Sequence, residues 1–490
     1  MAGLRGSWKS GDFVERQLDV IRSTVLAPPK QNGAENGHGA ATTNGATKKK
    51  KKKSVFVLVS GGVDSTVTYA LIARALPEDR VKGLYVDTGM MRLNETETVR
   101  ASLSQAGFAN ANLHYVDASD RFLRALEGVT APEEKRKIIG REFLAVQRDE
   151  CAKILHENND TPTQWLLGQG TIYPDTIESG GASGSKAKAA DVIKTHHNRV
   201  PEIDAMIAQG LVLEPVAELY KDEVRAVGER LGLPKAMVWR QPFPGPGLGV
   251  RLLCVSAEDA AAAATEEDRQ LRQRWAREIQ DAPVFASSFR RVDVDVPPLR
   301  SVGCQGDSRT YRHFAVLSGV RVGHQDEEAI DSATTTTTTT WEAVDALATG
   351  LVNGHDDINR VVLQLFPTAS QSTTWSLTPN APHCCTKARL DALRRADALA
   401  TNALVEAGLM QTIWQCPVAM APLTDDPAVA KEVVILRPVD STEAMTASFS
   451  KLPFAFLETL AETIVRDQPD KIAGVFFDVT NKPPGTIEWE

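Results

Sequence analysis

The residue types best suited to chemistry gather in one short run, Ser60-Gly61-Gly62-Val63-Asp64-Ser65-Thr66. Its glycines let the backbone approach a phosphate closely, and the hydroxyls of Ser60, Ser65 and Thr66 can donate to phosphate oxygens. Asp64 adds a carboxylate, for a metal ion or for ordering the loop. The run lacks the Gly-Lys-Ser/Thr ending of a Walker loop and is not Gly-x-Gly-x-x-Gly. A glycine-rich turn with a capping aspartate is the plainer alternative. A second group, Ile193-Lys194-Thr195-His196-His197-Asn198, follows the stretch GGASGSKAKAAD, whose composition suits a flexible active-site lid. Two histidines in a loop can also be a hydrogen-bonding surface pair. The six cysteines contain no Cys-x-x-Cys, and adjacent Cys384 and Cys385 make an awkward metal pair.

Alternating elements must position these groups. SVFVLVS, from Ser54, is a continuous apolar run suited to a strand buried on both faces of a parallel sheet. DSTVTYALIARAL follows at helical period, so the first run sits at the carboxyl end of a strand, where the next helix turns its free N–H groups and positive dipole end toward an anion. VKGLYVDTG, NLHYVDAS, WLLGQGT and LVLEPV read as further strands. NETETVRASLSQAG, a long segment from Pro132 and KDEVRAVGERLGLP read as helices. The alternation implies an α/β domain with a doubly wound parallel sheet over residues 54–245. Pro- and Gly-dense QPFPGPGLG marks its end. Residues 246–490 read as α+β, in one unit or two subdomains, with a single helix over AEDAAAAATEEDRQLRQRWAREI; the threonines at 334–340 fit a strand or a loop. Residues 8–26 have the spacing of an amphipathic helix. Residues 27–53, ending in Lys48 to Lys53, read as a disordered tether, and the lysines as a localisation or phosphate-seeking patch or simply a solvated linker.

Composition narrows the class. With 490 residues the chain exceeds one ordinary core. Its 55 basic and 63 acidic residues leave a net charge of −8, against broad nucleic-acid binding. No apolar run reaches the roughly 20 residues of a membrane span. The N-terminus lacks a signal-peptide core, so a reduced, cytosolic protein is expected.

The loop resembles that of the ATP pyrophosphatases, and the rest of the chain resembles the GMP synthases. The matching words are Gly168-Gln169-Gly170-Thr171 with Tyr173-Pro174-Asp175 and Ile177-Glu178-Ser179, the Lys194 to Asn198 segment, and Pro242 to Leu248. Gly306-Asp307-Ser308-Arg309-Thr310-Tyr311 and the terminal Lys482-Pro483-Pro484-Gly485-Thr486-Ile487-Glu488-Trp489-Glu490 complete them, in the family's order. The resemblance implies an adenine nucleotide alpha hydrolase-like ATP pyrophosphatase domain followed by a dimerisation-type domain. It implies ATP-dependent adenylylation of xanthosine 5′-monophosphate (XMP) at O2, then displacement of AMP by ammonia to give GMP and pyrophosphate. Ser60, Gly61, Gly62, Val63, Asp64, Ser65, Thr66, Val86 and Gly168 would hold ATP and pyrophosphate. Asp64, Asp175 and Glu178 would hold Mg²⁺, and Asp64, Lys194, His196 and His197 would be catalytic. Arg136, Asp307, Gln415, Lys482 and Glu488 would hold XMP, with the C-terminus over the substrate; for Arg136 the alternative is one more charge on an exposed helix, and for Trp489 a hydrophobic anchor.

The sequence departs from the usual family pattern in lacking the Gly-x-Cys-x-Gly nucleophile of a glutaminase, its first cysteine being Cys151. A truncated sequence, an incomplete gene model and a true single-domain synthetase all fit this departure, and in the last case ammonia from solution or from a separate glutaminase subunit is expected. Residues 8–26 resemble the linker helix that normally follows the glutaminase. The C-terminal part resembles the enlarged eukaryotic form, leaving homodimer and monomer both open. Rival readings are an NAD synthetase or a tRNA thiolase on the same loop, and a non-catalytic nucleotide-binding protein.

Overall fold

Ser54, the first residue of the apolar run, opens the central strand of a parallel sheet. The structure, a computed structural model, describes residues 8–26, 53–108, 112–157, 165–180, 211–283, 285, 289, 292–305, 308–323, 337–368, 373–381, 383–441 and 445–490. It divides into two compact units. The first comprises residues 1–87, 94–118 and 143–240, the second 88–93, 119–142 and 241–490. The main boundary thus lies at 240/241, and two earlier stretches group with the C-terminal part.

In the first unit, α1 (Ser10–Leu26) buries Phe13, Val14, Ile21 and Val25. β1 (Ser54–Leu58) leads into α2 (Val63–Ala75), which is buried nearly all round, as a helix covering a sheet from inside must be. β2 (Val81–Asp87), α3 (Glu95–Gln105), β3 (Leu113–Asp117), α4 (Ser119–Ala125), α5 (Pro132–Glu157), β4 (Trp165–Gly168), α6 (Tyr173–Gly180), β5 (Val212–Leu213) and α7 (Lys221–Arg230) follow; α4 and the start of α5 group with the second unit. The strand order is β3-β2-β1-β4-β5, with every pair parallel. Chain order reverses between β1 and β4, so the crevice beyond their carboxyl ends is the place where such a sheet binds ligands. The strand expected over LVLEPV is only Val212–Leu213, because Pro215 has no N–H to extend a ladder.

The second unit is built on a mixed sheet with the strands ordered Val418–Ala421, Glu432–Leu436, Ile472–Asp478, Ile358–Phe366, Ser308–Ser318 and Asp293–Asp295; Ser301–Gln305 pairs with Ser308–Ser318. Its core gathers Phe314, Val362, Trp375, Ile435, Phe476 and Trp489. The single helix expected from residue 257 is two, Ala257–Ala263 and Glu266–Gln280. Thr265 interrupts it by accepting the Asp268 N–H at 3.2 Å, an N-cap that starts the second helix. Thr337–Thr339 form a strand parallel to Val320–Val322, and the threonines at 334–336 lie outside the described residues. Among the described residues no helix is long and apolar enough to cross a membrane.

Candidate active site

The loop after β1 is ordered by its own hydroxyls. Ser60 Oγ and Ser65 Oγ lie 2.9 Å apart, Ser65 Oγ accepts the Ser60 N–H at 3.1 Å, and Thr66 Oγ1 donates to the Gly62 carbonyl at 2.8 Å. Gly61 has φ +79°, and a side chain there would meet Glu95 Oε1 at 3.0 Å, so glycine is required on both counts. Arg240 fixes the turn from outside, donating to the Gly61 carbonyl at 2.8 Å while paired with Glu95 at 2.5 Å. No side chain caps α2, and its first turn lies at the loop. Gly170, beyond β4, sits so close behind the loop that a Cβ would fall 2.9 Å from the Ser65 nitrogen. The Gly168-Gln169-Gly170-Thr171 word thus brings two βα loops together at the switch point, and Thr171 is held by Glu214 at 2.5 Å.

Asp64 carries the charge chemistry. One oxygen, Oδ2, accepts from Lys221 Nζ at 2.5 Å; the other, Oδ1, is buried without a protein partner. An orphaned carboxylate oxygen beside a phosphate-type loop fits a cation. Asp175 accepts the Ile172 N–H at 3.1 Å at the start of α6. Glu178 is on α6, with its side chain outside the described residues, as are Lys194, His196 and His197. Among the described residues no three His, Cys, Asp or Glu side chains form a metal cluster. Val86, one residue before the end of β2, is buried, and Gly168 ends β4 where a Cβ would strike Ile72 at 2.8 Å.

In the second unit, two of the expected XMP residues, Lys482 and Glu488, lie on the final segment and Arg136 touches it. Glu488 receives both Arg251 Nε at 3.0 Å and Arg251 Nη2 at 3.1 Å, and Arg251 also faces Asp397 at 3.5 Å. Arg136 donates to the Glu490 main-chain oxygen while its buried Nε makes no hydrogen bond and faces Glu133 Oε1 at 4.0 Å. Burial first, and Arg309 next, lower its pKa. Gln415 is buried, donating to the Pro242 carbonyl at 3.2 Å. Lys482 exchanges main-chain hydrogen bonds with Ala447 at 2.7 and 3.0 Å, beside an open cavity of about 560 Å³ lined by Asp440, Ser441, Thr446, Ala447 and Ser448. Burial lowers its pKa, Cys304 opposes the shift, and Arg437 adds to it. Asp307 lies outside the described residues.

Two buried arginines hold this segment. Arg360 Nη1 and Arg437 Nη1 share Asp478 Oδ2 at 2.9 and 2.8 Å, and both guanidinium groups donate to the Thr486 carbonyl. Burial, with Arg437 next, lowers Arg360 to about 9. Trp489 packs edge-on against Phe314 at 5.1 Å and lies under Arg360, so it is an anchor. Fully buried Lys135 meets the Glu490 carboxylate and the Gly249 and Leu252 carbonyls. Burial pushes Glu490 up to about 7 against the pull of Lys135, while Glu490 keeps Lys135 charged against its own burial.

Sequence reasoning missed Lys221, Arg240, Arg251 and Lys135. Lys221 had a signal: a lysine opening a helix opposes the macrodipole, and such a position asks for a partner.

Comparison with known proteins completes the description. Residues 402–489 match the family described as the GMP synthase C terminal domain. A probable glutamine-hydrolysing GMP synthase of Leptospira interrogans is 40% identical over 491 residues, covering 100% of this chain and 69% of its own length. The glutamine-hydrolysing GMP synthase of Streptomyces coelicolor is 33% identical, covering 100% of this chain and 62% of its own. The enlarged C-terminal part therefore has bacterial counterparts. Among solved structures, an NH₃-dependent NAD synthetase from Campylobacter jejuni aligns with 55% of this chain and 88% of its own at 17% identity and a TM-score of 0.28.

Proposed function

The chain belongs to the GMP synthase family, and from that premise we propose that it adenylylates XMP with ATP and aminates the product to GMP. The observation that carries this reading is the loop at residues 60–66, with Asp64 Oδ1 unpartnered at the N-terminus of α2. In the first unit, the loop hydroxyls and the open first turn of α2 take the β- and γ-phosphates, whose charge grows as pyrophosphate leaves. Asp64 Oδ1 and Asp175 are the carboxylates that would hold Mg²⁺, which neutralises phosphate charge when bound. Lys221, by gripping Oδ2, fixes which oxygen faces the phosphates, and its ammonium adds positive charge there.

The second unit takes XMP. Glu488, oriented by two bonds from Arg251, keeps lone pairs free for ribose hydroxyls, and Lys482 supplies a cation for the monophosphate. Arg136, held at Glu490, offers the nucleotide an Nε that makes no hydrogen bond of its own. Gln415 and Asp307 complete the set. The O2 oxygen of the xanthine attacks the α-phosphorus and pyrophosphate departs; ammonia then attacks C2 and AMP leaves. Lys194, His196 and His197 are proposed as catalytic residues alongside Asp64.

We place the reaction in the cytosol and take ammonia as the nitrogen donor of these 490 residues. GMP and pyrophosphate are measured from ATP, Mg²⁺ and XMP with ammonium or glutamine as donor. GMP with ammonium alone is the expected result. GMP with glutamine would mean an unrecognised hydrolytic site, and no GMP from folded protein would sink the reading.

A further inference from the structure

Cys254 lies in a setting that the amination of XMP does not use. Its half-buried sulfur receives Lys135 Nζ at 3.4 Å and Arg389 Nη1 at 3.9 Å, and its N–H donates to Glu490 Oε1 at 2.9 Å. Arg389 is itself held in place by Glu432, at 2.6 and 2.7 Å. Buried Cys385 faces the Gly249 carbonyl, which Lys135 shares, and Cys254 Sγ lies 3.3 Å from the Leu252 carbonyl, another Lys135 partner, so both sulfurs border the one Lys135 cluster. An antiparallel bridge between Val255 and His383, with hydrogen bonds of 3.0 and 2.8 Å, carries the two cysteines on adjoining stretches of chain.

Two cations around one sulfur are the surroundings that make a thiolate at neutral pH. The neighbouring Cys385 thiol, and after it Lys135 and Arg389, outweigh burial and hold Cys254 below the usual thiol range, while Cys385 is raised. The contrast within the chain is sharp: burial pushes Cys151 and Cys416 up to about 12, leaving them as inert thiols.

We propose that Cys254 and Cys385 are a hydroperoxide-oxidised pair, Cys254 attacking and Cys385 resolving. The Cys254 thiolate attacks one peroxide oxygen, the O–O bond breaks, and the leaving oxygen takes a proton, giving a sulfenic acid and water or an alcohol. The Cys385 sulfur then attacks Cys254 Sγ as its proton leaves with the departing hydroxide as water. Two electrons pass from the two sulfurs to the peroxide, and one S–S bond replaces the Cys254 thiolate and the Cys385 S–H, with one proton taken from solvent. The disulfide removes the negative sulfur facing Lys135 and Arg389, in the cluster that holds Glu490.

The full chain, reduced and then treated with limiting hydrogen peroxide, is followed by thiol counting and peptide mapping. Six thiols are expected to fall to four, six less the two joined. Cys254→Ser should keep its five remaining thiols, Cys385→Ser should stop at a sulfenic acid trapped by dimedone, and Cys384→Ser should still map a 254–385 bond. Near-ultraviolet circular dichroism checks the fold of each, and the parent and Cys384→Ser proteins decide the matter without disturbing the pair. A parent that keeps all six thiols, a bond that vanishes in Cys384→Ser, or thiol loss at the parental rate in Cys254→Ser overturns the proposal.

Discussion

The two units handle charge in opposite ways. In the first, the loop at residues 60–66 gathers hydroxyls, main-chain N–H groups and one ion pair, Lys221–Asp64, whose side chains are 39% and 25% exposed. In the second, Arg360, Arg437 and Asp478 are shut from solvent altogether. The loop can be open because glycine geometry and backbone dipoles supply its field without desolvating a fixed charge. The C-terminal segment has no such scaffold, so it is tied down by buried guanidinium groups that would be costly to leave unpaired. The lesson is that the first unit leaves the ion pair at its loop part-exposed, while the second uses buried charges to tie down its own C-terminal segment.

The largest effect is therefore expected from a residue that touches no substrate. Asp478→Asn leaves two buried arginines without their shared carboxylate and should cost about 3–5 kcal/mol. Chemical denaturation followed by tryptophan fluorescence, which reports Trp375 and Trp489 in the second unit's core, measures it. A loss under about 1 kcal/mol would break the contrast. Asp64→Asn tests the other half. Stability should stay near the parent's, while GMP formation from XMP and ammonium falls on the order of 10²–10³-fold. An unfolded Asp64→Asn protein would mean that the loop carboxylate is structural after all.

The sequence made the first site readable and much of the second unreadable, for a physical reason. The loop's constraint is local: Gly61 needs a positive φ and the hydroxyls of residues 60, 65 and 66 bond one another, so seven consecutive residues carry the signal. The parallel sheet was equally plain, since strands such as SVFVL are apolar on both faces. Lys221 reaches Asp64 across 157 positions, and no local pattern marks that pairing. Lys135 sits in Glu-Lys-Arg-Lys, which reads as a solvated helix face, yet it is the most buried lysine the sequence could have hidden there, 0% exposed. Only tertiary packing decides which charge of such a run turns inward. Thr265 is an intermediate case: it is a good N-cap residue, but the alanines and charges on either side continue one helical pattern.

A pH experiment sharpens the comparison. Glu490 is raised from 4.5 to about 7 in the folded chain, so the fold holds a proton that the unfolded chain has released. Its contribution is full below about pH 4.5 and is lost as pH rises through about 7. Between those limits the second unit should lose on the order of 2 kcal/mol with rising pH. Lys135→Met combined with Glu490→Gln removes both charges and should flatten that slope. A slope unchanged in the double variant would place its origin elsewhere.

The smallest effect is expected where ionic contact is most visible on the surface. Arg16 joins α1 to Glu218 at 2.8 Å, but the two side chains are 59% and 69% exposed. Water screens such a pair and two long side chains lose freedom in making it, so Arg16→Ala should cost about 0.2–1 kcal/mol. Ile21, on the same helix, is 0% exposed, and Ile21→Ala should cost about 2–5 kcal/mol by leaving a cavity. Thermal unfolding of the two variants ranks the contributions directly. If Arg16→Ala proved the more damaging, α1 would be held by its charge rather than by its apolar face, and the first unit would depend on an ion pair in the way the second depends on Asp478.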